Sequence, residues 1–277
     1  MKRLLFFILV VSVFLSLPAL AKRLTYGFRL AKTDLDFPHH PEWEVPLPPE
    51  MHAILQQPFH FIDKGTQSYV FESQDGNYVF KLFRYDQPPR GHKGILLFNA
   101  CNMAYDSSRG HKVLLLFNAC KMAYDLLREE TGLIYIHLNP TVLGLPVFHC
   151  TDAVGRDVAF PLDHTRFAVQ KKAKAFRAVL NEAKGNPIEM RKRLDQFVDL
   201  LQARTAKGIK NSDPSLSRNF GFLEERAVEF DFGSYRHLTD FDRVAEMKRY
   251  TFKLRLWLDR NAPEWISYLD ERVANLQ

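Results

Sequence analysis

Val228-Glu229-Phe230-Asp231-Phe232-Gly233 is the stretch on which the reading of this chain turns. An apolar run enters it, and a carboxylate follows where a glycine lets the chain bend. Twelve residues upstream stands Asn219, and six before that Asp213, both inside Gly208-Ile209-Lys210-Asn211-Ser212-Asp213-Pro214-Ser215-Leu216-Ser217-Arg218-Asn219-Phe220-Gly221. Taken alone, Asp213-Pro214 reads equally well as a turn in which the aspartate bonds its own backbone.

Working outward, two short strand-like runs flank Glu224-Glu225. Before them Asn186 can cap and Pro187 can begin a helix, with Met190, Leu194, Phe197 and Leu201 on one face. After Gly233 a long helix is expected from about Asp240 to Asp259 and a short one near 263–276. The region from Phe59 onward is β-rich. Phe59 to Asp63, Ser68 to Ser73 and Tyr78 to Phe83 are runs of aromatic and Val residues, and Asp75-Gly76 marks a hairpin. Further strand candidates are Leu133 to Leu138, Pro146 to Thr151 and Arg166 to Gln170. Lys81 sits amid apolar neighbours in Tyr78-Val79-Phe80-Lys81-Leu82-Phe83. Such a lysine needs a charged partner or a solvated edge, because burying it unpaired costs several kcal/mol.

In order and spacing, these features resemble the protein-kinase-like fold superfamily, and within it small atypical bacterial members such as lipopolysaccharide and effector kinases. The resemblance covers roughly residues 59–260 and implies an α+β, bilobal fold. It implies an antiparallel β-rich N-lobe with one long helix, and a truncated, mostly helical C-lobe, since only 44 residues follow Gly233. Lys64-Gly65-Thr66-Gln67-Ser68-Tyr69-Val70-Phe71 resembles the loop that covers the nucleotide phosphates, with Gly65 and Ser68 at its second and third glycine positions and Asp63 replacing the first. Lys81 matches the lysine that binds the α- and β-phosphates of ATP, and Glu129 or Glu130 would be its carboxylate partner. Asp213 matches the catalytic base, and Asn219 and Asp231 match the magnesium ligands. The usual His-Arg before the base is Asn211-Ser212 here, and the spacing to Asn219 is one residue longer than the pattern. An unrelated α+β fold would lack a five-stranded sheet interrupted by one helix.

Residues 91–109 and 110–128 match at 14 of 19 positions, a tandem duplication of one amphipathic helix. Ser107-Ser108-Arg109-Gly110 predicts a break between the copies, with the second as the structural helix and the first as a peripheral insertion. Cys120 and Cys150 are candidates for a disulfide with Cys101 as the spare duplicate; the alternative is three buried thiols.

Residues 1–21 read as a cleavable export signal: Lys2 and Arg3, a nearly continuous apolar run from Leu4 to Leu15, then Ala19-Leu20-Ala21. They place the mature protein in the periplasm or outside the cell, with no transmembrane anchor after cleavage. Residues 22–57 form a Pro-rich arm, in which His39-His40 is a weak pattern for a metal. The remaining division is an N-lobe over 58–170, including the repeat at 91–128, and a C-lobe over 171–277. A formal charge of +6, spread along 277 residues, does not indicate a nucleic-acid-binding protein.

Two functions are consistent with these residues. One is an ATP- and magnesium-dependent phosphotransferase whose acceptor, protein, lipid or sugar, is left open. The other is a kinase-like binding protein without phosphoryl transfer. Export bears on the choice, because ATP is scarce outside the inner membrane.

Overall fold

The computed structural model describes residues 2–85 and 100–275. In chain order it contains α1 (Lys2–Leu24), α2 (Met51–Gln56), β1 (Phe59–Lys64), β2 (Ser68–Ser73), β3 (Tyr78–Phe83), α3 (Ala100–Leu126), α4 (Arg128–Thr131) and β4 (Leu133–His137). Then come β5 (Val147–Thr151), β6 (Asp157–Pro161), β7 (Phe167–Lys171), β8 (Lys174–Ala175), α5 (Phe176–Glu182), α6 (Pro187–Ala206), β9 (Ile209–Asn211) and α7 (Leu216–Asn219). The chain closes with β10 (Phe220–Phe222), β11 (Ala227–Glu229), β12 (Tyr235–His237), α8 (Arg243–Asn261) and α9 (Ile266–Ala274). Two compact units result, Met1–Gly94 with His137–Ala168, and Ile95–Ile136 with Val169–Gln277. The repeated helix α3 therefore groups with the C-terminal helices.

The main sheet has the strand order β4-β7-β3-β2-β1-β5-β6. Without the β5–β6 hairpin it is five strands with one long helix, α3, between the third and fourth in the chain. The expectation of an antiparallel sheet needs correction: β1 and β5 pair parallel, Phe59 opposite Cys150. The hairpin joins the free edge of β1 this way because a long connection, not a tight turn, brings β5 there. β6 went unforeseen because its run ends at Pro161, a residue tolerated on an edge strand. β3 lies between β7 and β2, so the reading of Lys81 as an edge-strand lysine is overturned.

Within the first unit, side chains alternate across β2 and β3. Tyr69, Phe71, Phe80 and Leu82 are fully buried on one face, while Val70 and Lys81, register partners, share the other. Phe80 stacks on Phe148 at 4.0 Å and on Phe167 at 4.7 Å. From the arm, Phe28 packs edge-on against Tyr69 and Phe71, and Trp43 is buried with His40 stacked on it at 4.0 Å. His39 and His40 each meet a glutamate, Glu44 at 3.1 Å and Glu42 at 2.8 Å; no metal-type cluster occurs among the described residues. Asp75-Gly76 makes the β2–β3 turn, with Gly76 at φ +71° where only glycine is unstrained. α1 contains Pro18 and exposes Phe7, Phe14 and Leu15. Among the described residues no helix is long and apolar enough to cross a membrane.

In the second unit the Asn186 side chain caps α6, accepting the Glu189 N–H at 3.1 Å, and Pro187 opens it. Met190, Leu194, Phe197 and Leu201 are all buried, and Phe197 meets Phe176 and Phe220. Each such side chain contributes roughly 2 kcal/mol on leaving water. α3 runs unbroken through Ser107–Gly110, so the expected break is absent: one glycine costs a helix about 1 kcal/mol, too little to end one of this length. Leu116, Ala119, Cys120, Ala123 and Leu127 are buried as the periodicity predicted. Residues 91–99 of the first copy, and the side chain of Cys101, lie outside the described residues. Cys120 and Cys150 are both buried thiols with no disulfide between them, and burial, helped by Asp152, pushes Cys150 up to about 12.

Candidate functional site

Two adjoining segments of the second unit carry the residues singled out by sequence. One runs from β9 through a loop into α7 and β10; the other follows β11 into the Asp231-Phe232-Gly233 turn and β12. β10 and β11 pair as a hairpin, and β9 pairs with β12, which sets the loop ends side by side. Gly221 is required there, since a Cβ would lie 2.5 Å from the Lys174 carbonyl of the adjoining β8.

Hydrogen bonds then lock the loops together. Asn219, buried at the end of α7, donates its amide to the Asp213 carbonyl at 3.0 Å, and its own carbonyl accepts the Phe230 N–H at 2.9 Å. Asn211 is the hub. Its side-chain oxygen accepts the Asp213 N–H at 2.9 Å, and its NH2 donates to the Asp231 carbonyl at 3.3 Å and to Glu229 at 2.7 Å. Asp213, Asn219 and Asp231 are thus gathered on one hydrogen-bonded scaffold. The chain between Asp213 and Asn219 enters the short helix α7.

Below the scaffold lies a buried charge network that sequence reasoning missed. Arg204 of α6 donates to Glu229 of β11 at 2.6 Å and to Glu246 of α8 at 3.1 Å, and all three side chains are out of water. Tyr235 donates to Glu229 at 2.9 Å, Glu246 accepts the Asn211 N–H at 3.3 Å, and Arg249 donates to the Asn211 carbonyl at 2.6 Å. Burial works against the charge of Arg204, but Glu229 beside it prevails and holds its pKa above the ordinary value. Burial pushes Glu229 upward, opposed by Arg204 and by the hydrogen bonds from Asn211 and Tyr235. Burial and the neighbouring Glu229 push Tyr250 up to about 12 and raise Tyr235 as well, so both phenols keep their protons and act as donors. One signal was legible: Arg204 stands three residues after Leu201, on the apolar stripe of its helix, and Glu229 interrupts an apolar strand.

Asp231 is exposed, and its carboxylate accepts only the Gly233 N–H, at 3.4 Å, among the described residues. The Asn219 NH2 serves the Asp213 carbonyl, and no hydrogen bond to its amide oxygen occurs among the described residues. A carboxylate and an amide oxygen are hard donors that suit Mg2+, which completes its shell with phosphate oxygens and water. By donor chemistry alone the two side chains suit the ion.

The remaining expected residues belong elsewhere. Gly65 and Ser68 form the β1–β2 turn of the first unit, closed by Gly65 N–H to Ser68 carbonyl at 2.9 Å; a Cβ on Gly65 would meet ordinary contacts at 3.7 Å. Next to them Lys64 donates to the Tyr26 carbonyl of the arm at 2.7 Å. Lys81 is half-buried on β3. In the second unit Glu129 pairs with Arg226, and Glu130 pairs with Lys207 at 2.5 Å. Both glutamates lie in the first turn of α4.

No family model matches this chain, and no curated protein matches it. Similar solved structures include a 2.2 Å crystal structure of WbdD, 18% identical, with a TM-score of 0.38, covering 79% of this chain and 46% of that one. Another, of the bifunctional kinase-methyltransferase WbdD, is 16% identical with a TM-score of 0.36, covering 76% of this chain and 43% of that one. This chain spans less than half the length of the WbdD chains it matches.

Proposed function

We propose that this chain is an exported kinase-like protein that transfers a phosphoryl group from ATP in a magnesium-dependent reaction. The observation that carries the reading is the amide of Asn211, which ties the backbone of Asp213 to that of Asp231. A base and a metal ligand held on one rigid scaffold are what positioning catalysis requires. In this reading Asp231 and Asn219 hold Mg2+, which neutralises charge on the phosphates. Asp213 orients the acceptor hydroxyl and takes its proton. The resemblance assigns Lys81 to the α- and β-phosphates of the nucleotide.

The test is a thermal shift of the full chain with ATP, with and without Mg2+. Wild-type protein gains stability from Mg-ATP. Asp231→Ala loses the magnesium-dependent part, whereas Asp213→Ala keeps the shift and loses ATP turnover. No nucleotide-dependent shift in the wild type would sink the proposal. The apolar leader ending in Ala19-Leu20-Ala21 favours a second reading, a binding protein that keeps the scaffold without ATP. A Mg-ATP shift without turnover in any acceptor mixture would leave nucleotide binding and remove the transfer step.

A further inference from the structure

α8 carries two apolar stripes. Met247, Tyr250, Leu254 and Leu258 face inward and are buried. At 3.6 residues per turn, Phe252 and Leu256 stand on the opposite side, one above the other, and are 58% and 43% exposed. Lys248 lies along one flank of this ridge with the acidic Asp259, and Arg249, Lys253 and Arg260 lie along the other. Arg249 is held by the Asn211 carbonyl, and Arg255 by Asp270 at 3.0 Å. Among the described residues Lys248, Lys253 and Arg260 have no ion-pair partner, and all three are exposed.

We infer that this outward face of α8 seats the protein on an anionic lipid surface. Single exposed apolar side chains are ordinary on a protein surface, but here two stand adjacent on one helix face among three exposed bases. An aromatic and an aliphatic side chain bordered by bases is the pattern of interfacial helices, where the apolar pair enters the headgroup–acyl boundary and the long cations reach back to phosphates. The shape points the same way. A convex ridge of two apolar side chains suits a deformable layer, whereas a stable protein partner needs roughly 1,200 Å² or more of complementary surface. This site is separate from the Asp213–Asp231 scaffold and does not depend on the phosphotransferase reading.

The experiment places a reporter on the ridge, because α1 is itself apolar and bulk vesicle binding would not distinguish the two. Phe252→Trp in the full chain is mixed with brominated phosphatidylcholine vesicles, with or without phosphatidylglycerol. The readout is the fluorescence quenching gained over the unsubstituted chain. Strong added quenching is expected with phosphatidylglycerol and little without it. Adding Lys248→Gln, Lys253→Gln and Arg260→Gln to the reporter raises the lipid concentration needed by about a hundredfold, at roughly fivefold per base. High salt acts in the same direction. Absence of added quenching overturns the inference, as does quenching equal in neutral vesicles or indifferent to the triple change. A lipid-free dimer that Phe252→Glu dissolves would assign the face to a second copy and overturn it equally. Unchanged circular dichroism and melting of each variant serve as the folding control.

Discussion

Two clamps hold loops in this molecule, one in each unit, and they use charge in opposite ways. In the second unit Arg204, Glu229 and Glu246 lie wholly out of water and grip Asn211, which grips the two candidate loops. In the first unit a single half-exposed carboxylate, Asp163, holds the 141–145 loop. It accepts the Thr141 hydroxyl at 2.8 Å and the backbone N–H groups of Leu143, Gly144 and Leu145, each at 3.1 Å. The first arrangement is rigid but intolerant, because every charge in it has been desolvated and depends on its partners. The second tolerates loss, since water can replace what is removed.

The largest effect should come from Arg204→Ala, which strands two buried carboxylates. A loss of about 3–5 kcal/mol in urea unfolding is expected. A loss below about 1 kcal/mol would show that the network is not closed to water. Next comes Asn211→Ala, expected to cost about 2–3 kcal/mol by leaving Glu229 and the Asp231 carbonyl short of donors. It should also abolish the Mg-ATP thermal shift while Arg249→Gln leaves most of it. Equal shifts in both variants would separate the clamp from the site.

Asp163→Ala should cost only about 1 kcal/mol, with faster amide exchange confined to residues 143–145. The same loop should respond to acid. Burial raises the Asp163 carboxyl, but Thr141 and the three loop amides outweigh it and hold it below the usual range. A depressed folded pKa means that the stabilisation is complete above the ordinary carboxyl range near pH 4 and fades as pH falls through the lower folded value. Exchange at Leu143, Gly144 and Leu145 that accelerated toward neutral pH beyond its chemical rate would contradict this sign. The smallest effect belongs to a pair outside both clamps. Arg255 meets Asp270 at 3.0 and 3.1 Å with both side chains largely exposed, so Arg255→Ala should cost under about 1 kcal/mol and nothing measurable in 1 M salt.

Most strands and helices were legible from local chemistry. The β2 and β3 runs, the Asp75-Gly76 turn and the Asn186-Pro187 start of α6 all fall where alternation, turn residues and capping place them. The candidate loops were legible too, as Asp213, Asn219 and Asp231. The parallel seat of β5 and the charged partners of Glu129 and Glu130 were not, because each depends on residues far along the chain, and the continuity of α3 was not because a single glycine is a weak stop signal.

Sequence alone therefore determined most of the elements and the order of the chemical groups, since hydrophobic period and turn chemistry act over a few residues. Tertiary structure alone decided what supports those groups. Arg204 reaches Glu229 across 25 residues and Glu246 across 42, and Asn211 reaches Asp231 across 20. No local pattern specifies such partners. A charge can stay in the core only where packing brings its counter-charge within hydrogen-bond reach.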